Sequence, residues 1–189
     1  MTRPLDPTID EALEKATMAL LTERGFARMT MEAVAAAAGV GKPAIYRRYR
    51  DKASLVAAVI TRQLPELHPP DLGDTQAELS LAVEQGFPQD GALYVGLIGG
   101  LLAEQERHPE LIEAFRRSVL LPRRAVGLTL IERGQRRGDI RKDLEAEIAL
   151  DLFAGPFLAR VFAGLDTSER WRQKAFAAWW NLVREGPHP

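Results

Sequence analysis

Apolar residues recur along this chain of 189 residues with the spacing of amphipathic helices. Near the N-terminus, for example, Ile9, Leu13, Ala16 and Leu20 form one apolar stripe at helical spacing. The sequence contains no run of alternating β-branched residues of the kind that marks a strand. The pattern therefore predicts an all-α fold of about nine helices.

The first helix has recognisable start and stop residues. It is predicted to begin at Asp6-Pro7, where proline suits the first helical position, or at Thr8, which forms a capping-box pattern with Glu11. Gly25 is predicted to end this helix, because glycine tolerates the left-handed conformation of a helix C-cap.

Two short helices follow and are joined by a tight turn. Thr30 opens the first of them, which is rich in alanine. The turn at residues 38–40 contains Gly39, which can bend the chain where a side chain would clash. The second short helix begins near Gly41. Such a pair forms a helix-turn-helix, whose second helix can lie in the major groove of DNA.

The second short helix is predicted to have an inner and an outer side. Val40, Ile45 and Tyr49 fall roughly on one face. The residues predicted to face outward are Lys42, Pro43, Ala44, Tyr46, Arg47 and Arg48. The lysine can reach a base edge or a phosphate, the alanine can meet a thymine methyl group, and the arginines can read guanine or clamp phosphates. An outward tyrosine favours a phosphate contact through its hydroxyl.

A fourth helix is predicted from its cap, Asp51, to about Leu64, with Lys52 in its first turn. A cation in the first turn opposes the helix dipole at a cost of about 0.3–1 kcal/mol. A DNA phosphate at this helix start would reverse the effect, because the dipole and the lysine both attract an anion. The position therefore favours a phosphate contact for Lys52.

Prolines and a glycine make residues 65–74 a linker between an N-terminal head, residues 1–64, and a C-terminal body, residues 65–189. Five more helices are predicted near residues 75–86, 89–107, 109–136, 143–164 and 167–185. Pro122 should kink or split the third of these, because it removes a backbone hydrogen bond, and Gly155-Pro156 should bend the fourth.

Charge is segregated along the chain although the formal net charge is only -1. Residues 24–62 carry eight Lys and Arg against two acids, a net charge of +6. Residues 63–189 carry 15 Lys and Arg against 19 acids, a net charge of -4. A basic segment attached to an acidic one is typical of a phosphate-binding head on a separate body.

Several residues of the N-terminal part follow a spacing typical of one family: Gly25-Phe26, Thr30, Ala38-Gly39-Val40, Tyr46, Tyr49 and Lys52. With them the chain resembles the N-terminal domain of the TetR family of transcriptional repressors. The likeness is dense over residues 7–62 and weaker at residues 136–141 and 154–156. Gly41 stands where serine is common in the family, and Tyr49 where phenylalanine is common.

The resemblance implies a homodimer that binds double-stranded operator DNA. It also implies phosphate contacts at Thr30 and Lys52, and for Thr30 this contact is compatible with its role as a helix cap.

The last two predicted helices carry large apolar side chains on more than one face, so one face can pack on the core and another on a second copy. The resemblance implies a four-helix dimer interface there, and the alternative is ordinary core. The candidate interface residues are Phe157, Val161, Phe162, Phe176, Trp179, Trp180 and Val183.

An effector pocket is predicted from apolar residues on helices that should surround the centre of the body, although each of them is also a candidate core residue. The candidate lining residues are Leu97, Leu101, Phe115, Val119, Phe153 and Phe157. Their apolar character favours a small apolar or aromatic effector, with Arg116 or Arg117 as the anchor for an anion.

Composition and spacing argue against an enzyme. The chain has no cysteine, and its three histidines lack the His-Glu-x-x-His spacing of a zinc site. Asp143, Glu147 and Asp151 share a helix face, which is interpreted as a solvated acidic surface rather than a metal site. No cofactor is predicted. Without an apolar leader or a stretch of about 20 apolar residues, a soluble cytoplasmic protein is expected.

The leading hypothesis is a homodimeric repressor that releases its operator when a small molecule binds the body. A second hypothesis is a DNA-binding regulator without a natural ligand, controlled by a protein partner or by its abundance. A third is a helical enzyme that binds a small molecule or a metal, in which the basic N-terminal segment is incidental.

Overall fold

A computed structural model of the chain describes residues 6–64, 66–86 and 99–186. Its helices are α1 (Pro7–Arg28), α2 (Met31–Ala37), α3 (Lys42–Tyr46), α4 (Lys52–Gln63), α5 (Thr75–Gly86), α6 (Pro109–Phe115), α7 (Leu121–Arg137), α8 (Ala146–Phe162) and α9 (Glu169–Val183). Residues 99–103 are also helical, whereas most of the helix predicted at 89–107 lies outside the described residues. Across the described ranges the regular structure is helical, so the predicted all-α class is confirmed.

The chain divides into two compact units. The first unit contains Met1–Gln63 and Gly96–Val119, and the second contains Leu64–Val95 and Leu120–Pro189. The division near residue 64 lies close to the predicted head boundary. Residues 99–119, however, belong to the first unit, although they lie within the predicted body.

Helix α1 begins at the first of its two predicted start points. Asp6 is the N-cap, its carboxylate accepts a hydrogen bond from the Thr8 amide at 3.1 Å, and Pro7 occupies the first helical position. The predicted capping box at Thr8 is wrong, because Thr8 lies inside the first turn. Gly25 leaves the helical conformation with φ +71°, as predicted for a helix stop, and one further turn then reaches Arg28.

In the first unit, α1, α2, α3 and α4 pack around a common apolar core, and α4 also packs against α6. The residues that fill this core include Leu13, Leu20, Val34, Ile45, Leu55 and Ile60, all of them buried. Because the core takes one residue from α3 and several from α4, the short α3 is held by tertiary packing rather than by its own length.

Pro122 interrupts the long helix that was predicted at residues 109–136. Helix α6 ends at Phe115, a π-helical turn spans Arg116–Leu120, and α7 begins at Leu121 with Pro122 in its first turn. Proline cannot donate the backbone hydrogen bond and crowds the preceding turn, which a widened π turn accommodates. The predicted split is confirmed.

The core of the second unit is built by α5, α7, α8 and α9. Leu130, Ile140, Ala149 and Val183 are fully buried there, and the Trp179 indole donates a hydrogen bond to the Ala149 carbonyl at 2.8 Å. Helix α8 continues through Pro156, so the predicted bend at that point stays a prediction.

The linker before α5 is fastened to the second unit by a buried carboxylate. Glu78 is 0% exposed and accepts hydrogen bonds from the amides of Leu72 and Gly73 and from the guanidinium groups of Arg133 and Arg137, at 2.8–3.2 Å. Burial raises the pKa of Glu78, but the bonds from Arg137 and the two amides outweigh it and hold this pKa below its usual value. The carboxylate is therefore ionised and paired.

Among the described residues, no helix is both long and apolar enough to cross a membrane.

Candidate DNA-binding surface

Helix α3 is set into the first unit by the residues predicted for its inner face. Ile45 is fully buried, Tyr49 is buried just after the helix ends, and Gly39 takes φ +68° in the turn before it. On the outer side, the Lys42 side chain is 67% exposed and Tyr46 is 48% exposed.

Pro43 and Arg47 are also exposed, whereas Ala44 is half-buried. The predicted outward orientation is confirmed for Lys42, Pro43, Tyr46 and Arg47. Their contact with DNA stays a prediction.

Thr30 begins α2 as the sequence predicts. Its hydroxyl accepts a hydrogen bond from the Ala33 amide at 3.1 Å, which satisfies one of the unpaired amides of the first turn. The phosphate contact implied for Thr30 stays a prediction.

Arg48 does not face outward, and this prediction is wrong. Its side chain is 4% exposed, and its Nε donates to the Asp10 carboxylate at 2.7 Å. Its two other guanidinium nitrogens donate to the carbonyls of Ala44 and Asp6, each at 3.2 Å. Helix α3 has already ended at Tyr46, so regular helical spacing no longer fixes the direction of this side chain. Arg48 therefore fastens the end of α3 to the start of α1.

Lys52 has a partner inside the protein. Its ammonium donates to the Phe26 carbonyl at 2.8 Å and lies 4.2 Å from the centre of the Phe26 ring. Burial lowers the pKa of Lys52, while Glu110 and Glu104 oppose this change. Since Phe26 lies in the last turn of α1, the lysine meets the negative end of that helix. The contact with the end of α1 thus offsets the unfavourable interaction between Lys52 and the dipole of α4, and no phosphate is needed to explain the position of this lysine. The phosphate contact stays a prediction.

Glu32, on α2, is not among the residues predicted for this surface. Its Oε1 accepts a hydrogen bond from the Tyr46 hydroxyl at 3.1 Å and lies 3.8 Å from the Lys42 ammonium. A hydrogen bond from its own amide, and then the one from Tyr46, lower the pKa of Glu32, and the same contact raises the pKa of Tyr46. The sequence feature that could have drawn attention to Glu32 is its charge, because Glu32 and Asp51 are the only acids in the basic segment 24–62.

The predicted pocket residues are distributed over both units. Leu101, Phe115 and Val119 are buried in the first unit, Arg116 is exposed there, and Leu97 lies outside the described residues. The other two belong to the second unit: Phe153 is half-buried and stacks edge-on against Trp179, and Phe157 is buried beside Trp171. A pocket shared by them stays a prediction.

An open groove of about 490 Å³ lies between α5 and α9 in the second unit. Its lining includes Ala77, Ser80, Val83, Gln173 and Phe176. None of the predicted pocket residues that the structure describes lines it.

The candidate dimer residues also separate into two groups. Phe157, Phe176, Trp179 and Val183 are buried within the chain itself, and a place for them in a dimer interface stays a prediction. Val161 and Trp180 are half-buried, and Phe162 is 69% exposed. Apolar side chains lie on both faces of α8, so spacing alone does not separate a buried position such as Phe157 from an exposed one such as Phe162.

The exposed large apolar residues of α8, α9 and the loop between them share only Phe162 with the predicted set, and they are Ile148, Leu152, Leu158, Phe162, Leu165 and Leu182. An exposed apolar set of this kind is typical of an interaction surface.

Comparison with known proteins covers both parts of the chain. Residues 13–59 match the family described as bacterial regulatory proteins, tetR family, and residues 69–176 match the tetracyclin repressor-like C-terminal domain. The HTH-type transcriptional regulator YdeS of Bacillus subtilis is 29% identical over 165 residues, which cover 84% of this chain and 81% of YdeS. The regulator AqdR of Rhodococcus erythropolis is 27% identical over 147 residues, 77% of this chain and 70% of AqdR.

Solved structures share the fold over nearly the whole chain. The flavonoid-responsive regulator FrrA superposes with a TM-score of 0.68 at 21% identity, covering 97% of this chain and 100% of FrrA. A TetR transcriptional regulator from Agrobacterium tumefaciens gives a TM-score of 0.65 at 24% identity, with 95% of each chain covered.

The adjacent arginines Arg47 and Arg48 allow a matched test of the surface geometry. Arg48→Ala should lower the free energy of unfolding by about 1–3 kcal/mol, because it leaves the partly buried Asp10 without its main partner. Arg47→Ala should change it by less than about 0.5 kcal/mol, because that side chain is exposed. Urea denaturation followed by circular dichroism, at one protein concentration, measures both. Equal stability of the two variants would contradict a structural role for Arg48.

Proposed function

Because this chain belongs to the TetR family of DNA-binding transcriptional regulators, we propose that it is a homodimeric repressor that releases its operator when a small molecule binds. Two copies of α3 enter successive major grooves of double-stranded DNA, one helical turn or about 34–36 Å apart. A regulator of this kind works on DNA in the cytoplasm.

The proposal rests on the exposure of basic and aromatic side chains on the outer side of α3. Lys42, Tyr46 and Arg47 are exposed on a helix whose inner side is anchored by Ile45 and Tyr49. Lysine and arginine there read base edges or pair with phosphates, and a tyrosine hydroxyl donates to a phosphate.

Other predicted contacts surround this helix. Pro43 and Ala44 press on the groove floor, and Thr30 and Lys52 contact phosphates at two helix starts. Arg48 is left out of the proposed contacts, because its guanidinium is buried against Asp10.

The DNA contact is tested with a duplex from the region upstream of the chain's own gene. Arg47→Ala should weaken operator binding, and a phosphate contact would also lower the slope of log affinity against log salt by about one unit. Fluorescence anisotropy at several salt concentrations measures affinity and slope together. Arg24→Ala, which removes an arginine paired with its neighbour Glu23 on α1, is the charge-matched control. Equal loss in both variants would contradict a specific role for α3.

The dimer rests on the exposed apolar residues of α8 and α9. A side chain such as Phe162, 69% exposed, is unfavourable in water and gains free energy when a second copy covers it. Because a twofold interface uses the same patch on both copies, Phe162 is expected close to its own counterpart or to Leu158 and Leu182 of the second copy.

Phe162→Asp should therefore yield monomers, because a charge buried and unpaired in the interface costs several kcal/mol. Leu121→Asp, at an exposed apolar position on α7, is the control and should remain dimeric. Light scattering after size-exclusion chromatography gives the mass of each variant. An intact dimer of the Phe162→Asp protein would place the interface elsewhere.

The effector is proposed to be a small apolar or aromatic molecule. The predicted pocket residues are mostly apolar, and one protein of the same fold is named flavonoid-responsive. A ligand can shift an equilibrium between two conformations only through its difference in affinity for them. An effector that releases DNA must therefore bind the free dimer more tightly than the operator-bound dimer.

By linkage, operator DNA should weaken effector binding by the same factor by which the effector weakens operator binding. Flavonoids and other planar aromatic compounds are screened by thermal shift, and hits are then titrated with and without operator. Arg47→Ala, impaired in DNA binding, should keep the affinity for the compound and lose the effect of operator. Compounds that stabilise the protein yet leave operator affinity unchanged would favour a regulator without a small-molecule effector.

A further inference from the structure

An acidic side chain lies within the proposed DNA-contact surface. Glu32 is the second residue of α2, and its carboxylate engages two of the proposed contact residues on α3. The Tyr46 hydroxyl donates to it at 3.1 Å, and the Lys42 ammonium lies 3.8 Å from the same oxygen. All three side chains are exposed, so DNA can approach them.

A carboxylate and a DNA phosphate compete for the same donors. Both are anions whose oxygens accept from a tyrosine hydroxyl and pair with an ammonium group. In the free protein the Glu32 carboxylate accepts a hydrogen bond from Tyr46 and pairs with Lys42. A phosphate can bind these two side chains only if it displaces the carboxylate and lies close to its negative charge.

The effect of displacing Glu32 on binding free energy differs between arbitrary DNA and the operator. Binding to an arbitrary sequence depends almost wholly on phosphate contacts, so competition for Tyr46 and Lys42 acts on it directly. Binding to the operator also gains from base contacts, which need side chains held in one orientation before the complex forms. Of the two side chains, Lys42 is the one that can read a base edge, and its position 3.8 Å from the Glu32 carboxylate supplies such an orientation.

Resting on the DNA-binding function proposed above, we propose that Glu32 is a specificity-determining residue. Its carboxylate competes with phosphates of arbitrary DNA for Tyr46 and Lys42, and holds Lys42 in place to read a base of the operator. It thereby widens the ratio between operator affinity and affinity for other sequences, which is the quantity that decides where a regulator binds in a genome.

Glu32→Gln should raise the affinity for a duplex of scrambled sequence by about 2–5-fold, the scale of an exposed charge pair. Operator affinity should stay level or fall, so the specificity ratio drops. The salt slope for scrambled DNA should steepen by up to about one unit, because the charge of Lys42 becomes available to phosphates. Glu32→Asp keeps the charge but is one methylene shorter, so its affinity for scrambled DNA should lie between those of the wild type and Glu32→Gln.

Glu23→Gln is the matched control. It removes the same charge from α1, where Glu23 pairs with Arg24. If Glu23→Gln and Glu32→Gln raise the affinity for scrambled DNA equally, net charge alone explains the effect and the inference is overturned. Equal gains for operator and scrambled DNA in Glu32→Gln would overturn it as well.

A measurement without DNA tests the contact itself. The hydrogen bond to Glu32 raises the pKa of Tyr46, so Glu32→Gln should lower it in an absorbance titration of the tyrosines. Tyr46→Phe identifies which transition belongs to Tyr46. An unchanged tyrosine titration would refute the contact while leaving the DNA-binding function intact. A wild-type protein that binds neither duplex would instead overturn the proposed function and this inference together.

Discussion

A helix of five residues is too short to hold its own conformation, and this constraint governs the proposed DNA-binding surface. Helix α3 forms few internal hydrogen bonds, so its position is set from outside. Ile45 is buried on its inner side, Tyr49 is buried shortly after its end, and the Arg48 guanidinium pairs with Asp10 of α1. The outward direction of the exposed side chains follows from these three anchors.

Most signals that act over a few residues were predicted correctly from the sequence, with the capping box at Thr8 as the exception. The cap at Thr30, the turn at Gly39 and the break before Pro122 each depend on one residue and its near neighbours. Contacts between distant residues were not predictable in this way. Arg48 meets a carboxylate 38 positions earlier, and Lys52 a carbonyl 26 positions earlier, and no local spacing encodes either partner.

The apolar faces of α8 illustrate a second limit. Ala149 and Phe157 point into the core, while Ile148 and Phe162 are exposed, and the two faces are about equally apolar. Periodicity identifies the faces but not the neighbour that covers each one.

The charges of the basic segment, residues 24–62, cannot be assigned to partners from the sequence either. Composition gives its net charge of +6, but the structure is needed to see which cations are already engaged within the protein.

The pairing of Ile140 with Arg184 has a consequence for the order in which the chain folds during synthesis. This bridge joins the loop after α7 to the residues that follow α9, and Phe176, Trp179 and Val183 fill the core beside it. Helices α7 and α8 are synthesised before α9, so their shared core can close only after residues 169–183 have left the ribosome. Until α9 emerges, their apolar faces are open to chaperones or to other nascent chains, whereas α1–α4 have already been made.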